Sequence, residues 1–455
     1  MADLRPAAPT SPLAAAPPRW PFATYRLLTV MALMIGYIGY YLCRANLAAA
    51  HGSLHRELGL TNEQFGQLVS VGNAVYAGGK FIGAATTDSV GGRRIFFIGL
   101  FGSVIATVGF GATGGLAMLL LFWGLNRAFQ SIGWGGLMTV LSRWFTPAQY
   151  GSASGALSVS YQFGGVVATL FAGLLLKFGA GWRLLFFGPA LALLGLGLVL
   201  LPLIKASPLE VGYPLPSDDS SQRAAGPAGP VGGDRLALGK RLRLLLGSGR
   251  FLIVCCLSLV LTLLRETFNN WLPAYFAHLG GSAYSAVFKS ALFPLLGCVG
   301  TILAGWLSDT YFRNNRGPIL AGFLAAAGCV LIGLGHPEPV IAWAHQRLGV
   351  DGGLVIAAMV GLIGFFVLAP YSMVGGGVFA LDYGGRQAAG TAANLLDGVG
   401  YTASIFAGIG VGKLLTSASG DWRPVFSLMT WAVFGCAGLS VLLSLLGRTR
   451  RQPEF

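Results

Sequence analysis

Charge is what this chain has least of. Only 10% of its 455 residues are Asp, Glu, Lys or Arg, against 54% hydrophobic. A water-soluble protein carries about 25% charged residues. The six cysteines (Cys43, Cys255, Cys256, Cys298, Cys329 and Cys436) all fall in apolar runs, form no CxxC pair and have no His at ligand spacing. That argues against structural disulfides and against a metal site. No GxGxxG follows a strand-like run and no Walker pattern occurs, so no nucleotide cradle is expected. The apolar runs hold no nucleophile–base pair, so neither an enzyme nor a cofactor is expected. Residues 1–18 are rich in Ala and Pro without an apolar core of signal-peptide type, and read as a disordered tail.

What is there is length. Apolar runs of about 20 residues, enough to cross roughly 30 Å of hydrocarbon, recur at 27–50, 64–87, 95–113, 116–141, 153–177, 184–204, 251–277, 285–307, 317–335, 352–380, 390–416 and 424–446. The pattern predicts an all-α polytopic membrane protein of twelve transmembrane helices. Its one long polar interruption, rich in Gly, Pro, Ser and Asp over 217–234, divides them six and six. The expected organisation is a tail (1–26), a six-helix bundle (27–204), a linker (205–250), a second bundle (251–446) and a tail (447–455). The net charge of +14 forms no stripe interleaved with aromatics, so nucleic acid is not an expected partner. Instead Arg93, Arg94, Arg143, Lys240, Arg241, Arg243, Arg250, Arg313, Arg316, Arg386, Arg448, Arg450 and Arg451 fall on one side of the topology. The positive-inside rule puts that side, both termini included, in the cytoplasm. A multi-pass protein of a cell membrane, bacterial inner membrane by expectation, follows; a monomer is expected.

The halves match. Gly83 to Arg94 reads GAATTDSVGGRR and Gly305 to Arg316 reads GWLSDTYFRNNR; Gly181-Trp182-Arg183 precedes the sixth run and Asp421-Trp422-Arg423 the twelfth. Such correspondences in one order read as an internal duplication with parallel repeats. The aspartate-and-basic loops, Asp88 with Arg93 and Arg94, then Asp309 with Arg313, resemble the signature of the major facilitator superfamily. Arg127-Ala-Phe-Gln130-Ser-Ile-Gly133 is similar to its RxxQGxG motif. The loops are candidate latches: Asp88 can pair with a helix end while the arginines stay among headgroups.

Two arginines sit deep inside the runs at the same register of each half: Arg44, then Asp88 44 positions on, and Arg265, then Asp309 44 positions on. A charge at mid-membrane costs roughly 2.5–3.5 kcal/mol by insertion scales, so it faces water or a partner. Arg44 is six residues from Ala50, about 9 Å, which leaves snorkelling open; Arg265 is too deep for it. Tyr37, Tyr41 and Arg44 share a helical face, as do Tyr76 and Lys80, with Lys80 nearer the cytoplasm. A guanidinium offers a planar fork to phosphate or carboxylate, so the central ligand is expected to be anionic. Glu266 and Asp397 could neutralise an arginine in the empty state, bind a proton, or form a structural ion pair.

This set is similar to the organophosphate:phosphate antiporter family. Tyr40-Tyr41-Leu-Cys-Arg44-Ala-Asn46 resembles its Tyr-Tyr-x-x-Arg-x-Asn, Tyr76-x-x-x-Lys80-Phe81 its second span, and Arg265 with Asn270-Trp271 its seventh. The resemblance implies twelve helices around a basic cavity, with substrate contacts from Arg44, Arg265, Lys80, Tyr37, Tyr41, Tyr76, Tyr161, Gln162, Asn269 and Asn270. It implies exchange of a phosphorylated metabolite (a sugar phosphate, glycerol phosphate or phosphoglycerate) for inorganic phosphate. Tyr161 beside Gln162 stands where the family's glycerol-3-phosphate transporter has a histidine, and Phe293 where it has a glutamate. A proton-linked mechanism built on that histidine is thereby put in question. Two rival readings are a proton-coupled carboxylate symporter using Glu266 or Asp397, and a transporter-like sugar-phosphate sensor.

Overall fold

In hydrocarbon every backbone polar group needs an internal partner, so apolar runs of this length become helices. The computed structural model describes residues 19–216, 243, 245–312, 315–375, 379, 383, 392 and 395–448; at 81–89, 147, 148, 150–152, 154–156, 158, 309, 447 and 448 it describes backbone alone. The first half forms α1 (Phe22–Leu58), α2 (Asn62–Val90), α3 (Gly92–Ala112), α4 (Leu116–Trp144), α5 (Pro147–Lys177) and α6 (Leu184–Leu200). The second forms α7 (Gly249–His278), α8 (Ala283–Ser290), α9 (Leu292–Tyr311), α10 (Gly317–Gly335), α11 (Pro337–Leu348), α12 (Gly352–Gly375), α13 (Phe406–Ser417) and α14 (Arg423–Arg448). The eighth crossing, Ala283–Ser308, is thus α8 and α9, broken at Ala291; the eleventh, Leu395–Ser417, breaks before α13.

Among the described residues nine helices are long and apolar enough to span by composition alone. The second and fourth crossings carry too many polar groups to qualify, and the sixth is short. Large side chains such as Ile105, Val199, Ile302 and Trp431 are exposed on the outside, a surface suited to lipid and not to water.

Helix ends follow local chemistry. Thr61 and Gln64 cap α2 reciprocally, Thr61 N donating to Gln64 Oε1 (2.9 Å) and Gln64 N to Thr61 Oγ1 (3.2 Å). Gly59, at φ 65°, closes α1 in the left-handed region. The end therefore falls at Leu58, beyond the expected 50. Residues 337–348, expected as loop, form α11, where Glu338 on the first turn pairs with Arg423 at 3.0 Å. Its own backbone N–H, and then Arg423, hold the Glu338 carboxyl below its ordinary range.

Packing repeats between halves. α3 lies on α4 and α6 as α10 lies on α12 and α14, and α2 lies on α4 as α9 lies on α12. Trp182 packs on Phe186 (6.1 Å) as Trp422 packs on Phe426 (6.2 Å). The latch turns also match in outcome. Arg93 Nη2 donates to Leu201 O (2.8 Å) at the end of α6, and Asn315 Nδ2 donates to Ser444 O (3.2 Å) near the end of α14. Arg94 is exposed; the side chains of Asp88 and Asp309, and all of Arg313, lie outside the described residues.

The halves meet where α1 packs on α7, α2 on α13, and α5 on α8 and α9. The α2–α13 seam runs backbone to backbone. Ser70 and Asn73 donate to Ile405 O and Ser404 O. A Cβ on Gly66 would meet Gly408 O at 2.6 Å, and one on Gly408 would meet Gly66 O, so glycine is required on both sides. Gly408→Leu is expected to lower stability by about 1–3 kcal/mol through overpacking, read by thermal melting of the purified protein. Gly78→Ala, where a Cβ meets nothing within 4 Å, should be neutral or stabilising by up to about 1 kcal/mol.

Candidate functional site

Arg44 is delivered by a defect in α1. Cys43 leaves helical geometry (φ −91°, ψ 15°), and a kink of this kind frees carbonyls that must be satisfied elsewhere. Gln130 of α4 supplies the partner: its Nε2 donates to Tyr40 O (3.3 Å) and Cys43 O (3.2 Å). Tyr40 meanwhile turns away and donates to Phe96 O. With α1 ending at Leu58, fourteen residues from Arg44, snorkelling is out of reach.

Arg265 arrives from α7, and the two guanidinium groups share partners across the seam. Arg265 Nη1 donates to Glu266 Oε1 (3.0 Å), Tyr371 OH (3.2 Å) and Tyr401 OH (3.3 Å), and its Nη2 to Tyr41 OH (3.4 Å). Arg44 Nη2 donates to the same Tyr401 OH (3.1 Å) and lies 3.8 Å from the same Glu266 Oε1. Glu266 also accepts from Asn270 Nδ2 (3.4 Å). Arg44 and Arg127 both stack on the Tyr76 ring, at 4.7 and 4.6 Å.

Lys80 Nζ donates to Asp397 Oδ2 across the α2–eleventh-crossing seam, while Glu266 lies with the arginines. Among the described buried and half-buried groups of this cluster, the cations Arg44, Arg265, Arg127 and Lys80 face the carboxylates Glu266 and Asp397. Two positive charges are left over.

A cavity of about 730 Å³, counting its open mouth, lies against this cluster. Tyr41, Arg44, Arg127, Glu266, Asn269 and Asn270 supply much of its polar lining. Ala48, Ala49, Phe268 and Leu272 are among its apolar walls. Between the cavity and the face carrying the termini runs a chain of rings from both halves: Tyr37 to Trp134 (4.9 Å), Trp134 to Tyr161 (6.4 Å) and Tyr161 to Tyr371 (6.4 Å). Toward the opposite face, His51, Phe65 and Trp271 meet edge to face in a second bridge, with Trp271 Nε1 donating to Ala407 O (2.8 Å).

The structure therefore brings Arg44, Arg265, Tyr41, Tyr76, Asn269 and Asn270 to one place. It puts Tyr37 and Tyr161 in the ring chain. It turns Gln162 aside: its Nε2 donates to Thr301 Oγ1 (2.7 Å) of α9. Sequence reasoning missed Tyr371, Tyr401 and the position of Arg127 in the cavity. Arg127 lies eleven residues inside α4, so the depth argument used for Arg265 would have found it.

Two repeated helix sets, most of them long and apolar enough to cross a membrane, with a charged cavity on the seam between them, define a multi-pass membrane protein with a central polar site. The sequence pattern of the Major Facilitator Superfamily matches residues 33–407, and the chain belongs to that superfamily. It is 27% identical over 431 residues to the probable hexose phosphate transport protein of Chlamydia pneumoniae, covering 92% of this chain and 90% of that one. It is 26% identical over 438 residues to the glycerol-3-phosphate transporter of Bacillus subtilis (strain 168), with 94% of each covered. It is 27% identical over 427 residues to the membrane sensor protein UhpC of Salmonella typhimurium, covering 92% and 91%. The family likeness seen in the motifs thus extends over nearly the whole chain. Among solved structures, a bacterial homolog of the human lysosomal transporter Spinster, inward-facing and unoccupied, matches with a TM-score of 0.70 at 17% identity over 94% of this chain and 99% of that one. A D-xylose–proton symporter matches at 0.66 and 13% identity over 93% and 98%. At these identities the likeness is one of fold.

Removing Gln130 tests how Arg44 is held. Gln130→Ala leaves Tyr40 O and Cys43 O without their side-chain donor and is expected to cost about 1–3 kcal/mol, read as a fall in melting temperature.

Proposed function

We propose that this protein exchanges a phosphorylated organic metabolite for inorganic phosphate by alternating access. Arg44 and Arg265, one from each half, grip the phosphoryl group. The observation that carries the reading is the pair of positive charges left uncompensated in the buried cluster. Such charge is costly in low dielectric, and an anion bound between the halves offsets it. Antiport follows: an empty, positive seam resists closure around itself, whereas either anion neutralises it and lets the halves rock. Tyr41 and Tyr401 add hydroxyl contacts, and Glu266 acts as the resident counter-ion of the empty state. The relatives named for hexose phosphate and glycerol 3-phosphate support the cargo class.

The termini are proposed to face the cytoplasm, on the strength of the cation asymmetry. The relative named as a membrane sensor, as similar as the named transporters, keeps a sensor as the second reading: binding of a sugar phosphate with little flux. The engagement of Glu266 by Arg265 and Arg44 speaks against its serving as a free proton carrier in a carboxylate symporter.

Three measurements check this. Proteoliposomes preloaded with labelled phosphate should release it when phosphate or an organophosphate is outside; saturable binding without release supports the sensor, and release driven only by a proton gradient with a carboxylate supports the symporter. Arg44→Lys and Arg265→Lys keep charge but lose the planar fork. Each is expected to weaken phosphate binding by about 1.5–3 kcal/mol, roughly 10- to 150-fold, with melting little changed; near-normal exchange by either would remove the clasp. In a cysteine-free background, Ser220→Cys should resist an impermeant thiol reagent added to intact cells, and labelling from outside would invert the topology.

A further inference from the structure

The two surplus positive charges are not in the same place. One belongs to the Arg44–Arg265 pair, which shares Glu266. The other is Arg127. Arg127 is 3% exposed. Its Nη2 donates to Asn73 Oδ1 (3.0 Å), and it makes no other hydrogen bond and no ion pair among the described residues. Asn73 brings no charge, and its own amide is committed to Ser404 O (2.9 Å). The face of Tyr76 gives Arg127 a cation–π contact, which is weak compensation for a buried guanidinium. Arg127 nonetheless lines the same cavity as Arg44, Asn269 and Asn270. The Tyr76 ring, against which both guanidinium groups stack, fixes their spacing. They lie within the length of a small phosphorylated molecule of one another.

We infer that Arg127 is a second anion subsite, and that the organic cargo is a phosphorylated carboxylic acid. Its phosphoryl group lies on Arg44 and Arg265, and its carboxylate lies on the open fork of Arg127. This rests on the exchange reading above and narrows its cargo. A single planar guanidinium with one neutral neighbour fits a carboxylate, which it takes in a two-point grip. A second phosphoryl group would bring more negative charge than one guanidinium offsets. Glu266, the group that could repel the carboxylate, is held by Arg265, Arg44 and Asn270. Asn269 lines the same cavity and can serve a hydroxyl on the connecting carbon.

The test compares two probes that differ at one group: 3-phosphoglycerate, and glycerol 3-phosphate, which has a hydroxymethyl in place of the carboxylate. Half-saturating concentrations for release of labelled phosphate are measured for the unmodified protein, Arg127→Gln and Arg127→Lys. The unmodified protein should favour 3-phosphoglycerate by about tenfold. The preference should fall to about onefold in Arg127→Gln and lie between in Arg127→Lys, which keeps charge without the fork. No preference in the unmodified protein overturns the assignment. So does a preference that survives Arg127→Gln, or one equal weakening of both probes, which marks Arg127 as a strut between α2 and α4. If Arg127→Gln does not assemble, the unmodified protein and Arg127→Lys decide on the same criteria. If external phosphate itself releases no label, the exchange reading fails separately. The preference is then read from thermal stabilisation by the two probes, which needs no transport.

Discussion

A single carboxylate oxygen, Glu266 Oε1, lies 3.0 Å from one arginine and 3.8 Å from another, and the two arginines come from opposite halves of the chain. In lipid that geometry constrains everything around it. Neither guanidinium can be left in hydrocarbon; Arg44 reaches across the seam to Glu266 and the Tyr401 hydroxyl, which Arg265 already holds in its own half, and these shared partners tie the halves at mid-depth. On the proposed reading an anion does not enter a vacant hole; it competes with, or adds to, a carboxylate already there. The strength of that resident pair therefore limits how loosely or tightly any cargo can be held, because only the surplus positive charge is on offer.

The rest of the seam is built so that this centre can matter. Gly66 and Gly408 let α2 and α13 touch along their backbones. Such contacts depend on shape and on few hydrogen bonds, so they can be made and unmade without stranding charge in lipid. The ion pair between Lys80 and Asp397 is the exception. It spans the same pair of crossings outside the cavity, and parting those crossings there exposes two charges together. The neutral contacts and the ionic one thus give the seam unequal costs of opening along its length.

Much of this was legible in the sequence, for reasons that are physical. The helices could be read because a crossing has a minimum length, and the duplication because turns such as Gly181-Trp182-Arg183 and Asp421-Trp422-Arg423 repeat. Arg44 and Arg265 stood out because a buried cation is costly. Tyr371 and Tyr401 did not, since a tyrosine costs little in a span and gives no sign of which way its hydroxyl points. Arg127 was hidden by its motif, which explained it before its depth was weighed. The sequence offered Glu266 and Asp397 alike as partners of the arginines and gave no means of choosing between them: adjacent helix positions do not normally face each other, yet the two long side chains at 265 and 266 meet. The end of α1 was set too early because His51 and Gly52 look like a terminus, whereas the helix runs on to the turn at Gly59. Helix α11 was missed because Pro337, Glu338 and Pro339 resemble a loop.

The turns that follow the second and eighth crossings do the same mechanical job with different chemistry. One holds the end of α6 with the guanidinium of Arg93, and the other holds α14 with the amide of Asn315. A charged clamp at the membrane surface is weakened by salt and by competing phosphate headgroups, and a neutral one is not. The molecule is therefore symmetric in outline while these two clamps answer differently to their surroundings: ionic strength and leaflet composition act on the Arg93 contact and leave the Asn315 contact nearly untouched.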